Sequence, residues 1–302
     1  MRIASLKSTA ARATRPGFTL VELLLVITII VIVVGLILVA LSQLQNRARA
    51  TSCLVNQRQI ALANMSYAND NEGRFVSPRT DSLPPAGGMR PTRNCWVNTA
   101  AAGALISGTE TVKSLEGGAL WDYLSKNEKA YVSPMDPTGR VRSYSLNSFV
   151  GVGDNDYGRR ADDWWVFPDP ESADMPEPYR NTQLKTVTLA QIPQPSRTMA
   201  SVTEHDRDTG YNYNLHGFSI QVGPPAGLGG LWIDTPALWN TGRVNIAFID
   251  GSIDAPNIIY EQLATTFDAD SDGHDVTEVG SRPAFRFMST ILLPGIVRPE
   301  LQ

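Results

Sequence analysis

Only two cysteines and three histidines occur in 302 residues. Two cysteines cannot staple a small secreted fold, and the composition is neither disordered nor collagenous. His205, His216 and His274 are scattered, and no His-Glu-x-x-His pair occurs. A Gly-x-Ser-x-Gly elbow and a phosphate-binding loop are also missing, so no common catalytic signature points to an enzyme. Excess positive charge is lacking too. A formal net charge of −4 leaves no basic footprint for nucleic acid. Acids are wholly absent from residues 1–21, which hold Arg2, Lys7, Arg12 and Arg15. Without those four, the chain sets 22 basic residues against 30 acidic ones.

That asymmetry brackets a long apolar run. Among the nineteen residues from Leu23 to Leu41, Thr28 is the only clearly polar one. With Phe18 to Val21 added, the stretch covers about 30–35 Å as a helix, enough to cross a bilayer. The basic flank places the N-terminus in the cytoplasm and the acidic remainder outside. A cleaved secretory signal is the plain alternative, but its core would be roughly 7–15 residues long. Glu22 stands at the cytoplasmic edge of the run. A carboxylate there either reaches the headgroups or marks a function with a partner charge.

The segment Arg15-Pro16-Gly17-Phe18-Thr19-Leu20-Val21-Glu22-Leu23 resembles the prepilin signature of type IV pilins and type II secretion pseudopilins. The resemblance implies that a membrane prepilin peptidase cuts between Gly17 and Phe18 and methylates the new amine of Phe18. It also implies that Glu22 attracts the N-terminal ammonium of a neighbouring subunit, which would balance a charge held in an apolar filament core. Pilins often carry a proline late in the apolar run. Here Gly35 is the only weak point.

Helical character continues past the membrane run, because residues 42–68 contain neither Pro nor Gly. Leu44, Ala48, Val55 and Leu62 mark one helical face, widened by Leu54, Ala61 and Met65, while Cys53, Ile60 and Tyr67 mark another. Two faces predict one packed on the chain's own head and one turned to neighbouring subunits. A helix sunk in its own domain is the alternative. Asn69-Asp70-Asn71-Glu72-Gly73 supplies the turn that ends it.

Further blocks resemble a group of prepilin-type proteins abundant in planctomycetes and verrucomicrobia. They are Ala48-Arg49 through Phe75, Tyr131 to Pro137, Arg142 to Asn147, Ile192 to Thr198 with Glu204-His205, and Asn245 to Ser252 with its Asp250-Gly251 pair. Two positions depart from that pattern: Asn240 stands where the group has His, and Ser133 where it often has Cys.

The head itself reads as β-rich. Val244, Ile246 and Phe248 alternate ahead of Asp250-Gly251, a hairpin signal. Thr186–Leu189, Met199–Val202 and Phe218–Val222 are further strand candidates, and Leu115–Leu124 a short helix. Glu204-His205-Asp206 with Asp208 could form a cluster, but adjacent strand residues point to opposite faces. Cys53 and Cys95 lie in an expected oxidising compartment and are either bonded or packed as free thiols. Trp164-Trp165, Trp232 and Trp239 are core residues or a glycan surface. Asp268, Asp270, Asp272 and Asp275 precede or follow Gly273 as calcium ligands do, although the twelfth loop position is Val279. A Ca²⁺ loop and a solvated acidic turn are the two readings.

The expected architecture is therefore α+β, a long N-terminal pilin helix packed on a β-rich head with long loops. Residues 1–17 form the leader, 18–41 the transmembrane segment, 42–70 the amphipathic half of the helix, and 71–302 the extracytoplasmic head. The expected function is a structural subunit of a type IV pilus or type II secretion-like filament in the inner membrane. Its partners would be prepilin peptidase, other subunits, an inner-membrane assembly platform and the bilayer. A tethered glycan-binding or hydrolytic domain that uses the leader for placement is the alternative.

Overall fold

A computed structural model describes residues 17–78, 80, 95–98, 110–151, 188–205, 217–218, 220–221, 231–232, 234–240, 242–257, 274–275 and 282–292. The chain divides into two compact units, residues 1–45 and 46–302. Helix α1, Leu20–Asp70, contributes to both.

In the first unit the apolar run is helical and exposed on every side, with Leu20 at 81% and Val31 at 70%. A helix so apolar all round is built for lipid rather than water. Its one interruption is satisfied internally, because the Thr28 hydroxyl donates to the Leu24 carbonyl at 2.8 Å.

In the second unit α1 has two distinct faces, as the spacing predicts. Cys53, Ile60, Ala63 and Tyr67 are buried in an aromatic cluster with Trp96, Tyr131 and Tyr144. Val55 and Leu62, on the other face, each remain 43% exposed. Ala61, assigned by spacing to the outer face, is buried with Ala68 and Phe75 in a second cluster. Its small side chain lets the sheet approach the helix.

Three amides fasten the helix. Asn56 Nδ2 donates to the carbonyls of Lys129 and Val132, both at 3.0 Å. Gln57 Nε2 donates to the Asn245 carbonyl at 2.9 Å, and Asn64 Oδ1 accepts from the Val76 amide at 3.0 Å. The helix ends where the sequence places a turn. Glu72 and Gly73 take positive φ values of 57° and 78°, and the Gly73 amide reaches back to the Ala68 carbonyl at 2.7 Å.

The main sheet is antiparallel, in the order β1-β2-β5-β6, from strands β1 Tyr144–Leu146, β2 Met199–Thr203, β5 Ile246–Phe248 and β6 Ile253–Asp254. Tyr144 pairs with Thr203, Val202 with Ile246, and Ala247 with Ile253, with a register shift between Met199 and Ser201. A smaller sheet joins β3 Ile220–Gln221, β4 Leu231–Trp232 and β7 His274–Asp275. Two shorter α-helices, α2 Val112–Glu116 and α3 Arg282–Leu292, and 3-10 turns at Glu128–Tyr131 and Leu189–Gln191 are also described. The Asp250-Gly251 hairpin forms as expected, with the Asp250 carboxylate accepting from the Ser252 amide at 2.9 Å. Gly251 has φ 82°, and a Cβ there would stand 2.8 Å from Leu62 Cδ2, so the turn abuts α1.

Two local expectations need correction. The strand expected at Thr186–Leu189 gives way, within its described part, to a single bridge from Thr188 to Arg74 and a 3-10 turn at Leu189–Gln191. The short helix occupies Val112–Glu116 instead of Leu115–Leu124, because Gly117 ends it and turns follow.

Candidate functional site

The N-terminal site is built from the residues just ahead of α1. Gly17 and Phe18 are exposed and non-helical, and Phe18 is 76% exposed. Thr19 and Glu22 then form a reciprocal cap. The Glu22 amide donates to Thr19 Oγ1 at 3.2 Å, while Glu22 Oε2 accepts from the Thr19 amide and hydroxyl, both at 2.8 Å. This is the Ser/Thr-x-x-Glu arrangement that satisfies otherwise orphaned amides at a helix start. The helix begins at Leu20, so Gly17 and Phe18 lie ahead of it. The cap also loads both bonds onto Oε2. Glu22 Oε1 has no hydrogen-bond partner among the described residues.

Thr19 is the residue that the spacing argument passed over. Its signal was present, because Thr19-x-x-Glu22 directly precedes an apolar run.

The downstream blocks converge on a buried charge cluster in the head. Arg142, 1% exposed, donates from Nη2 to Glu110 Oε1 at 2.7 Å and from Nη1 to the Tyr144 carbonyl at 2.7 Å. Its guanidinium lies 5.1 Å from the centre of the Trp96 ring. Asp136 accepts from Arg140 at 2.9 Å and from the Ser143 hydroxyl at 2.6 Å. Arg140 Nη2 also donates to the Glu204 carbonyl at 2.7 Å, and the buried Glu204 carboxylate accepts from the Ser145 hydroxyl. Each charge is satisfied by a fixed partner, which is how buried ions are tolerated. The cluster joins β1, β2 and the loop ahead of them.

Other sequence candidates fall out separately. Glu204 is buried while His205 is exposed, the opposite facing expected of neighbours in a strand. Asp206 and Asp208 lie outside the described residues. Trp239 packs against the Arg140 guanidinium at 5.6 Å. Trp164 and Trp165 lie outside the described residues, and Trp232 belongs to β4. Asn240, at the expected His position, donates to Asn245 Oδ1 at 2.8 Å. Ser133 Oγ accepts from the Met135 amide at 3.2 Å.

Both cysteines are free and buried. Cys53 Sγ is 3.5 Å from the Tyr144 hydroxyl. Burial, then Tyr123 and Cys95, push the Tyr67 phenol above its ordinary pKa. The Cys95 backbone bridges that of Ser77, next to the Val76 amide that Asn64 holds. Of the proposed calcium ligands, Asp268, Asp270 and Asp272 lie outside the described residues. Asp275 is in β7, where it pairs with Leu231. Among the described residues, no three metal-ligating side chains are grouped.

Residues 12–38 match the family model of the prokaryotic N-terminal methylation motif. The chain carries a prepilin-type N-terminus. The match covers the apolar half of α1 as well as Gly17, Phe18 and Glu22. The prepilin-type N-terminus and the apolar helix together mark a membrane-anchored, single-pass precursor. Such a motif implies processing by prepilin peptidase and assembly with other pilin subunits. No curated protein and no solved structure matches the chain.

Proposed function

We propose that this protein is a non-enzymatic structural subunit of a type IV pilus or type II secretion-like filament. Cleavage between Gly17 and Phe18 would free the Phe18 amine, and the same peptidase would methylate it. The N-terminus would start in the cytoplasm, with the head on the far side of the inner membrane and an assembly platform drawing subunits into the filament. The downstream blocks support a place in the planctomycete–verrucomicrobia prepilin group. The observation that carries the reading is the half-used carboxylate of Glu22. Oε2 closes the chain's own helix cap, and Oε1 is left to accept a neighbour's ammonium in an apolar surrounding, where an unpaired charge is costly.

N-terminal mass spectrometry tests this directly. Wild-type protein should begin at methylated Phe18, and Gly17→Val should retain the leader. Glu22→Ala should still insert but fail to assemble, since removal of a carboxylate eases insertion while the neighbour loses its partner. An intact leader in wild-type cells, or normal filaments from Glu22→Ala, contradicts the reading.

A further inference from the structure

Between Phe18 and Asn69 the only charged side chains are Glu22, Arg47, Arg49 and Arg58. Arg47 and Arg49 follow Leu41, the last residue of the apolar run, by six and eight positions, about two helical turns. Both lie beyond residues 12–38, so they are no part of the matched motif. Each is exposed and forms no ion pair among the described residues. The intervening Ser42-Gln43-Leu44-Gln45-Asn46 is exposed and uncharged, so no acid competes for them locally.

Helix geometry says what these two side chains reach. Helical side chains lean toward the N-terminus, which here is the direction of the apolar run. Each arginine lays its stem back along the helix and brings its guanidinium to the headgroup layer, where the planar fork of donors matches a phosphate. Residues two apart also point about 200° from one another. A protein seated on one side of the helix meets one arginine and misses the other. A bilayer surrounds the helix and meets both. Arg58, seventeen positions past Leu41, stands about 25 Å further on and outside that layer.

Processing sharpens the contrast. Arg2, Lys7, Arg12 and Arg15 would leave with the leader. The cut chain then keeps only the Phe18 amine beside Glu22 at one end of the apolar run, and its nearest basic side chains are Arg47 and Arg49 at the other.

We propose that Arg47 and Arg49 bind the phosphates of anionic phospholipids in the leaflet on the side of the head, and hold the processed subunit in the membrane once the leader charges are gone. This rests on the single-pass orientation and filament function above. A basic residue at an anionic surface strengthens attachment about fivefold, so two together give roughly 25- to 30-fold. The attraction weakens as salt is raised.

The test uses the full-length processed chain in vesicles that present the head outward, with a photoactivatable phosphatidylglycerol confined to the outer leaflet. Label should map to residues 42–51. Unlabelled phosphatidylglycerol should compete, phosphatidylcholine should not, and inorganic phosphate should compete no better than chloride at equal ionic strength. Arg47→Gln with Arg49→Gln should cut labelling about tenfold or more, while Arg58→Gln should leave it unchanged. Undiminished labelling of the double variant, equal labelling by a photoactivatable phosphatidylcholine, or competition by inorganic phosphate as strong as by the lipid would each overturn the site. Labelling only from the inner leaflet would overturn the site and the orientation together. Filaments from a chain that takes no label would overturn the lipid site and leave the filament function standing. A labelled chain that never forms filaments would do the reverse.

Discussion

Arg142 shows how much one residue can carry in this head. Its guanidinium is enclosed by a carboxylate, a backbone carbonyl and an indole face, with water excluded. Arg142→Ala takes the guanidinium away from the buried Glu110 carboxylate, and removing one member of such a pair costs about 3–5 kcal/mol. Urea unfolding of the detergent-solubilised chain should show that loss, together with a lower melting temperature. Tyr131 is a contrasting case. Its hydroxyl has no partner among the described residues, and burial pushes the phenol well above its ordinary value. Tyr131→Phe should therefore be close to neutral at pH 7. The same burial has a pH consequence shared with Tyr144, whose phenol is also pushed up, by burial first. The fold favours the neutral phenol, whereas the unfolded chain releases its proton near pH 10. Stability should hold below about pH 10 and fall above it by about 1.4 kcal/mol per pH unit for each tyrosine. Urea melts at pH 8, 10 and 11 measure the slope, and Tyr131→Phe should reduce it. Glu22 stood out in the sequence, because a charge beside an apolar run is conspicuous, while Tyr131 and Arg142 appeared there only as members of family-like blocks. The Arg142–Glu110 pair did not, since its members are 32 residues apart and nothing local links them.

At the scale of elements, α1 behaves as two surfaces on one helix. Asn64→Ala leaves the Val76 amide buried without an acceptor, at a cost of about 1–3 kcal/mol, while Ser66→Ala on the exposed side should stay within about 0.5 kcal/mol. Chemical denaturation of both variants separates them. The two faces, the turn that ends the helix and the Asp250-Gly251 hairpin were legible because each rests on spacing within a few residues. The 3-10 turn at Leu189–Gln191 was not. Thr-Val-Thr-Leu has strand propensity, but Thr188 makes a single bridge to Arg74, and the Leu189 amide donates to the Gly73 carbonyl at 3.0 Å. Tertiary contact overrode local preference there. The short helix was shifted for a related reason, since apolar spacing at Leu115, Leu120 and Leu124 reflects packing into one cluster rather than one continuous helix.

For the molecule as a whole, the most useful feature is the pair of buried, free thiols. Neither depends on an oxidant, so reducing agent should leave the melting temperature unchanged, and a thermal melt with and without dithiothreitol checks this. The thiols also act as separate gauges of opening. Cys53 faces the core from the middle of α1, and an alkylating reagent reaches it only when the helix lifts from the head. Cys95 bridges Ser77, one residue past the Val76 amide that Asn64 holds on the last turns of α1. Trapping the two at different rates would time the helix's detachment turn by turn in living membranes, with no label added. A subunit entering an assembly would then record in its own chemistry whether its head stayed closed on the way.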